Sequence, residues 1–300
     1  MKNIIRDESG SAIVLVALSM IVLLAMSALV IDVGGLFVAK SHLEKTANAA
    51  VLSGAQELVN DDSAVSAIVN EILKAHKEES SLTSLTITHG HEVRIVLKKE
   101  VPLTFSKLLG KPSVLVEASA AAQIASMGRA TGVAPVGIDE AFPLVFGNTY
   151  KLKVDQTGAS SGNFGILALD GPGAKTYEEN LRFGFNGEIK VGDIVETQTG
   201  NIAGKTRSSI NERINACPYP GDLNHRDCSR VLLVPVYRPH KHESNQLKEV
   251  MITGFAHFYI MEPMSSKDTS ITGMFIQKVD TGFTDPNAVN RGAYSIKLVE

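Results

Sequence analysis

Twenty consecutive residues without a charge, Ala12 to Ile31, set the first limit on what this chain can become. Only Ser19 and Ser27 among them carry polar side chains. At about 1.5 Å of rise per residue, a helix of this length covers roughly 30 Å, the thickness of a hydrocarbon core. Leu, Ile, Val, Met and Ala occupy every face, so the helix has no polar side to turn to water. A helix of that kind lies either inside protein or inside lipid. It precedes any segment that could bury it, and the expectation is a transmembrane helix with the lipid bilayer as its first partner. A cleaved secretory signal needs a short apolar core and a small-residue cleavage site soon after it. Here the run is long and passes through Ile31-Asp32-Val33-Gly34-Gly35-Leu36-Phe37-Val38 directly into another helical pattern.

The flanks suggest an orientation. The head, residues 1–10, carries Lys2 and Arg6, and Lys40 and Lys45 follow the span, so basic residues are nearly balanced across it. A short head facing a body of more than 250 residues predicts a cytoplasmic N-terminus and an extracytoplasmic body in a single-pass protein of the cell membrane. Asp32 is the first charge after the run. At the bilayer centre it would cost about 2.5–3.5 kcal/mol on insertion scales, and at the outer edge little, so it reads as a membrane-edge residue. The net charge of −3 is spread over interspersed acids and bases, without a basic run, so no nucleic acid partner is expected.

Beyond the span the pattern is milder. Leu43, Ala47, Ala50, Gly54 and Leu58 recur at three- and four-residue spacing and make a stripe of mostly small residues. Small residues let helices approach closely. Residues 11–58 are therefore expected to form a transmembrane helix, spanning about 12–31, with an extracytoplasmic extension. The stripe would pack on another helix or a sheet, or serve helix-mediated self-association. Residues 59–127 read as a small α+β unit. Asp61 offers an N-cap to an amphipathic helix, and two strands follow around His89-Gly90-His91. A helical turn ended by Gly110 and a strand from Val114 complete the unit. Residues 128–137 are linker-like, with Gly and Pro punctuation. From 138 to 300, short apolar runs alternate with Gly, Pro, Asn and Asp clusters, predicting a mainly antiparallel β domain with helices near Tyr177–Arg182 and Thr206–Asn215. The fold class is α+β.

Motifs for chemistry are sparse. Thr199-Gly200-Asn201-Ile202-Ala203-Gly204-Lys205-Thr206 resembles a phosphate loop, but Thr199 stands where the first Gly belongs, and the surroundings are not βαβ. His89 with His91, and His240 with His242, are paired at a spacing that can share a metal, yet each pair lacks further ligands in sequence reach. Adjacent carboxylates, Asp139-Glu140 and Glu178-Glu179, point apart and make poor acid–base pairs. No catalytic, cofactor-binding or metal residue is predicted. Cys217 and Cys228 bracket CPYPGDLNHRDC, whose turn-forming composition folds the chain back. Two readings stand, a disulfide or two free surface thiols, and export favours the disulfide.

One combination of features resembles a known family. Glu8-Ser9-Gly10-Ser11, the apolar run, Asp32-Val33-Gly34, and Leu43 followed by Ala47-Asn48-Ala49-Ala50-Val51-Leu52-Ser53-Gly54-Ala55 resemble the N-terminal segment of TadE/TadG-like proteins of the bacterial tight-adherence (Flp) pilus systems. Asn48 departs from the family pattern, which usually has an acidic residue there. Residues 130–300 resemble the β-rich extension of some Gram-positive members, including the Cys217–Cys228 loop and the Gly254-Phe255-Ala256 strand. The resemblance implies a non-enzymatic, membrane-anchored accessory protein that binds pilus subunits or Tad secretion machinery outside the membrane. It also raises an alternative, a minor pilin cleaved at the junction Gly10–Ser11. Prepilins carry glutamate at the fifth mature position, where this chain has Leu15, and that favours an uncut anchor. A third reading, from another class, is a membrane-tethered ligand-binding or hydrolase domain.

Overall fold

The computed structural model describes residues 9–152, 165–198, 200, 202–223, 225, 227–243, 246–266 and 270–299. Its first element is a helix of 47 residues, α1 (Ser9–Ala55). One pattern cannot explain all of it. The apolar window near its start is wholly unburied, while Leu43, Ala47, Ala50, Val51 and Ala55 are fully buried. The helix stops at Ala55, and a turn closed by Glu57 N–H donating to Gly54 O carries Leu58 into the same core.

What covers that stripe follows directly. In α2 (Asp62–Ala75), Asp61 caps the first turn by accepting from Ala64 N–H at 2.9 Å. Its apolar face, Val65, Val69 and Leu73, is buried against α1. Gly54 makes this approach possible, since a Cβ there would lie 2.7 Å from Val69 Cγ2. The antiparallel hairpin of β1 (Leu82–Thr88) and β2 (Glu92–Pro102) turns at Gly90, φ +68°. Val93, Ile95 and Leu97 alternate inward along β2 and join the α1 core.

A 3-10 turn, Ser106–Leu109, ends at Gly110 in the left-handed region, φ +85°, and leads into β3 (Ser113–Ala130). This strand pairs with β2 from Pro102↔Ser113 to Glu92↔Gln123. Its far end, Met127 to Ala130, pairs with later strands instead. The stretch that follows is itself built in, since Val133 bridges Phe185 and Leu233.

The remaining elements are β4 (Ile138–Asp139), β5 (Thr149–Leu152), α3 (Ala174–Phe183), β6 (Ile189–Lys190), β7 (Ile194–Glu196), α4 (Ala203–Ala216), β8 (Val231–Glu243), β9 (Gln246–Ile260), β10 (Ile271–Ile276), β11 (Lys278–Val279), β12 (Phe283–Thr284), β13 (Val289–Asn290) and β14 (Ala293–Val299). The first sheet runs β1-β2-β3-β14-β11, so the last strand of the chain returns to the sheet beside α1. The second runs β4-β8-β9-β10-β5 around the long β8–β9 hairpin. Pairing is mainly antiparallel, with short parallel contacts at β11/β14, β13/β9 and β4/β8. The whole is α+β with a β-rich C-terminal region, and α3 and α4 pack on the second sheet through Tyr177, Leu181, Ile210 and Ile214.

Candidate anchoring site on the long helix

The functional residues on α1 are positioned by helical period. Asp32 and Leu43 are eleven residues apart, about three turns, so they share one face. That face looks at protein, and Asp32 is only 5% exposed. Its carboxylate accepts from the backbone N–H groups of Thr104 (2.8 Å), Phe105 (3.1 Å) and Ser106 (2.6 Å) and from the Ser106 hydroxyl (2.7 Å). A carboxylate on the free N–H groups that open a 3-10 turn satisfies donors the turn leaves orphaned. Asp32 is thus a latch between the end of the apolar run and the loop after β2. The sequence contained a signal for it, namely the shared face with Leu43, but the partners lie more than 70 residues away.

A second tie lies about two turns further along α1. Lys40 Nζ donates to Glu117 O at 2.6 Å and also pairs with Glu44 at 3.0 Å. Together with Asp32 it holds the β2–β3 hairpin alongside the helix, its loop end level with Asp32.

Beyond lies the stripe: Leu43, Ala47, Ala50, Gly54 and Leu58 are all buried, whereas Asn48 is exposed. Beside it Glu78 is almost fully buried and receives Lys99 Nζ and the Ser81 hydroxyl (2.6 Å), with His42 Nε2 at 3.5 Å. Burial alone would raise the Glu78 pKa; the hydrogen bonds from Lys99 and Ser81 and the Lys99 charge outweigh it and hold the carboxyl below its ordinary value. Gly10 and Ser11 lie in the first turns of α1, with no break in the helix between them.

The other singled-out residues lie elsewhere. Cys217 and Cys228 form a disulfide, with Cα atoms 4.6 Å apart, packed on Tyr259 and Ile276. Lys205 and Thr206 of the phosphate-loop lookalike are engaged structurally. Lys205 pairs with Glu178 at 2.5 Å, and the Thr206 hydroxyl is 3.0 Å from that of Tyr177, joining α3 to α4. His89 Nδ1 lies 3.1 Å from Asp62. Glu140 pairs with Arg238 at 2.5 Å. Among the described residues, no three His, Cys, Asp or Glu side chains converge as metal ligands would. A cleft of about 490 Å³ lies between Gln56 and residues 278–283, and includes Asp280. The buried His257 places Nε2 3.4 Å from the Asp280 carboxylate.

On α1 itself, Asp32, Lys40 and most of the buried stripe fall within one segment, and that segment also carries the family signal. Residues 10–57 match the model of the Tad family, Flp pilus-assembly TadE/G-like. The long helix is similar to a TadE/G-like segment. No curated protein and no solved structure matches the chain. The TadE/G-like segment supports involvement in Flp/Tad pilus assembly, and its helix is long and apolar enough to cross a membrane. It takes in Asp32, Lys40, Leu43, Ala47, Ala50 and Gly54, so the family pattern coincides with the residues that grip the folded body.

Proposed function

We propose that this protein is a membrane-anchored, non-enzymatic accessory of Flp/Tad-type pilus assembly, with its N-terminus in the cytoplasm and the body outside. In this reading Asp32 sits at the outer membrane edge, the chain stays uncut at Gly10–Ser11, and the β-rich region contacts pilus subunits or the secretion machinery. The observation that supports it most is the coincidence of the TadE/G-like match with a helix that is bare over its apolar run and gripped by the body from Asp32 onward. A helix built this way transmits the position of the membrane rigidly to the outer body. The buried disulfide fits an oxidising compartment.

The test is genetic and chemical. Deleting the gene in a piliated strain should abolish surface pili, and the full chain should restore them; unchanged pilus number and length would overturn the proposal. N-terminal sequencing of the membrane-extracted protein should show no chain beginning at Ser11. A Ser11 start would replace the anchor with a minor pilin.

A further inference from the structure

The latch at Asp32 leaves a feature that anchoring alone does not use. The loop it holds is LTFSKLLGK, residues 103–111. Its base is closed by Leu103 N–H donating to Pro112 O at 2.9 Å, and its turn is fixed by the Asp32 carboxylate. From this rigid platform Phe105 and Leu108 project outward, Leu108 being 86% exposed. Lys107 and Lys111 flank Leu108, both exposed. The latched loop thus shows water a leucine between two lysines, with a partly exposed phenyl ring just before them, where the same backbone would accept polar tips.

Its position says what covers it. The loop is level with Asp32, yet on the side of α1 away from the protein the exposed apolar residues continue through Val33, Phe37 and Val38. Val38 is six residues beyond Asp32, about 9 Å further from the bilayer centre. The loop tip is therefore level with an exposed apolar surface of α1 that continues past Asp32. We infer that residues 105–111 form a membrane-surface foot. Phe105 and Leu108 insert into the interfacial layer of the bilayer that α1 crosses, and Lys107 and Lys111 lie against anionic headgroups. An apolar tip flanked by lysines is the chemistry of an interfacial segment, in which the apolar part sinks to the headgroup–acyl boundary and the cations stay with phosphate. With α1 the foot makes a second point of contact, fixing the tilt of the outer body as well as its height.

The inference rests on the reading of α1 as membrane-spanning, and the test separates the two. The chain contains no Trp, so a single introduced Trp reports alone. Leu108→Trp, Met20→Trp and Ile194→Trp would each be made in the full chain and reconstituted into phosphatidylcholine–phosphatidylglycerol vesicles, with and without brominated acyl chains. Met20→Trp should be strongly quenched by bromine and Ile194→Trp, on the exposed face of β7, should not. The foot requires Leu108→Trp to be quenched and blue-shifted relative to Ile194→Trp, and Phe105→Trp serves if Leu108→Trp misfolds. If Met20→Trp is quenched and the loop Trp is not, the foot is wrong and the anchor stands. A loop Trp that is blue-shifted but unquenched means protein covers it, which also overturns the foot. If Met20→Trp is unquenched, the anchor fails and the foot with it.

Discussion

The two halves of α1 are built from the same few residue types and obey different solvents. From Ala12 to Ile31 every face is apolar and exposed, and no residue is placed to meet a particular partner. From Asp32 one face narrows to Leu, Ala, Val and Gly that fit a defined surface, and from Lys40 to Ala55 the opposite, exposed face is polar. The first half needs hydrophobicity and length, which many sequences supply. The second needs specific volumes at specific positions, because packed protein tolerates neither gaps nor excess, while lipid chains rearrange around either. The same substitution should therefore have opposite weight on the two sides of Asp32.

The largest difference is expected for truncation. Leu43→Ala removes a fully buried side chain and should destabilise the folded body by about 2–5 kcal/mol in urea unfolding of the detergent-solubilised chain. Leu23→Ala should leave that transition unmoved; equal losses would break the comparison. Enlargement comes next. Gly54→Leu drives a side chain into Val69 and should cost about 1–3 kcal/mol, whereas Gly34→Leu and Gly35→Leu meet open space and should cost the folded body nothing. At the boundary itself, Asp32→Ala orphans three N–H donors and should cost about 1–3 kcal/mol, read as faster hydrogen exchange confined to residues 103–110. Faster exchange throughout the first sheet would mean that Asp32 supports more than its loop.

The smallest effect concerns pH. Because the folded Glu78 carboxyl is held below its ordinary value, its contribution is present above the unfolded pKa and fades as pH falls through the folded one. Stability of the first unit should therefore decline on acidification, and Glu78→Gln should make that decline shallower. An unchanged slope would remove Glu78 from the network.

Elements governed by local pattern were legible in the sequence. The apolar run, the Asp61 cap of α2, the β1–β2 hairpin at Gly90, the Gly110 turn, and α3 and α4 each announce themselves within a dozen residues. The α+β class and the TadE/G-like resemblance followed from them. What the sequence hid depends on distance along the chain. Tyr294–Val299 reads as a strand, but nothing local assigns it to β3 at Ala121–Ser126, in the sheet beside α1. Asp32 reads as an edge charge because its partners lie 72 to 74 residues away and are mostly backbone N–H groups, which carry no side-chain signature. Thr206 looked like part of a phosphate loop because hydroxyls that pack two helices and hydroxyls that bind phosphate are the same residue type.

The orientation of the two sides of α1 can be measured directly. Asn3→Cys and Phe183→Cys, made singly in the full chain, would be exposed to a membrane-impermeant maleimide in spheroplasts whose cytoplasmic membrane is intact. The exposed Phe183 position should label at once, and position 3 only after the membrane is opened. Immediate labelling at position 3, with position 183 protected until lysis, would contradict an outer body carried on a cytoplasmic-headed helix.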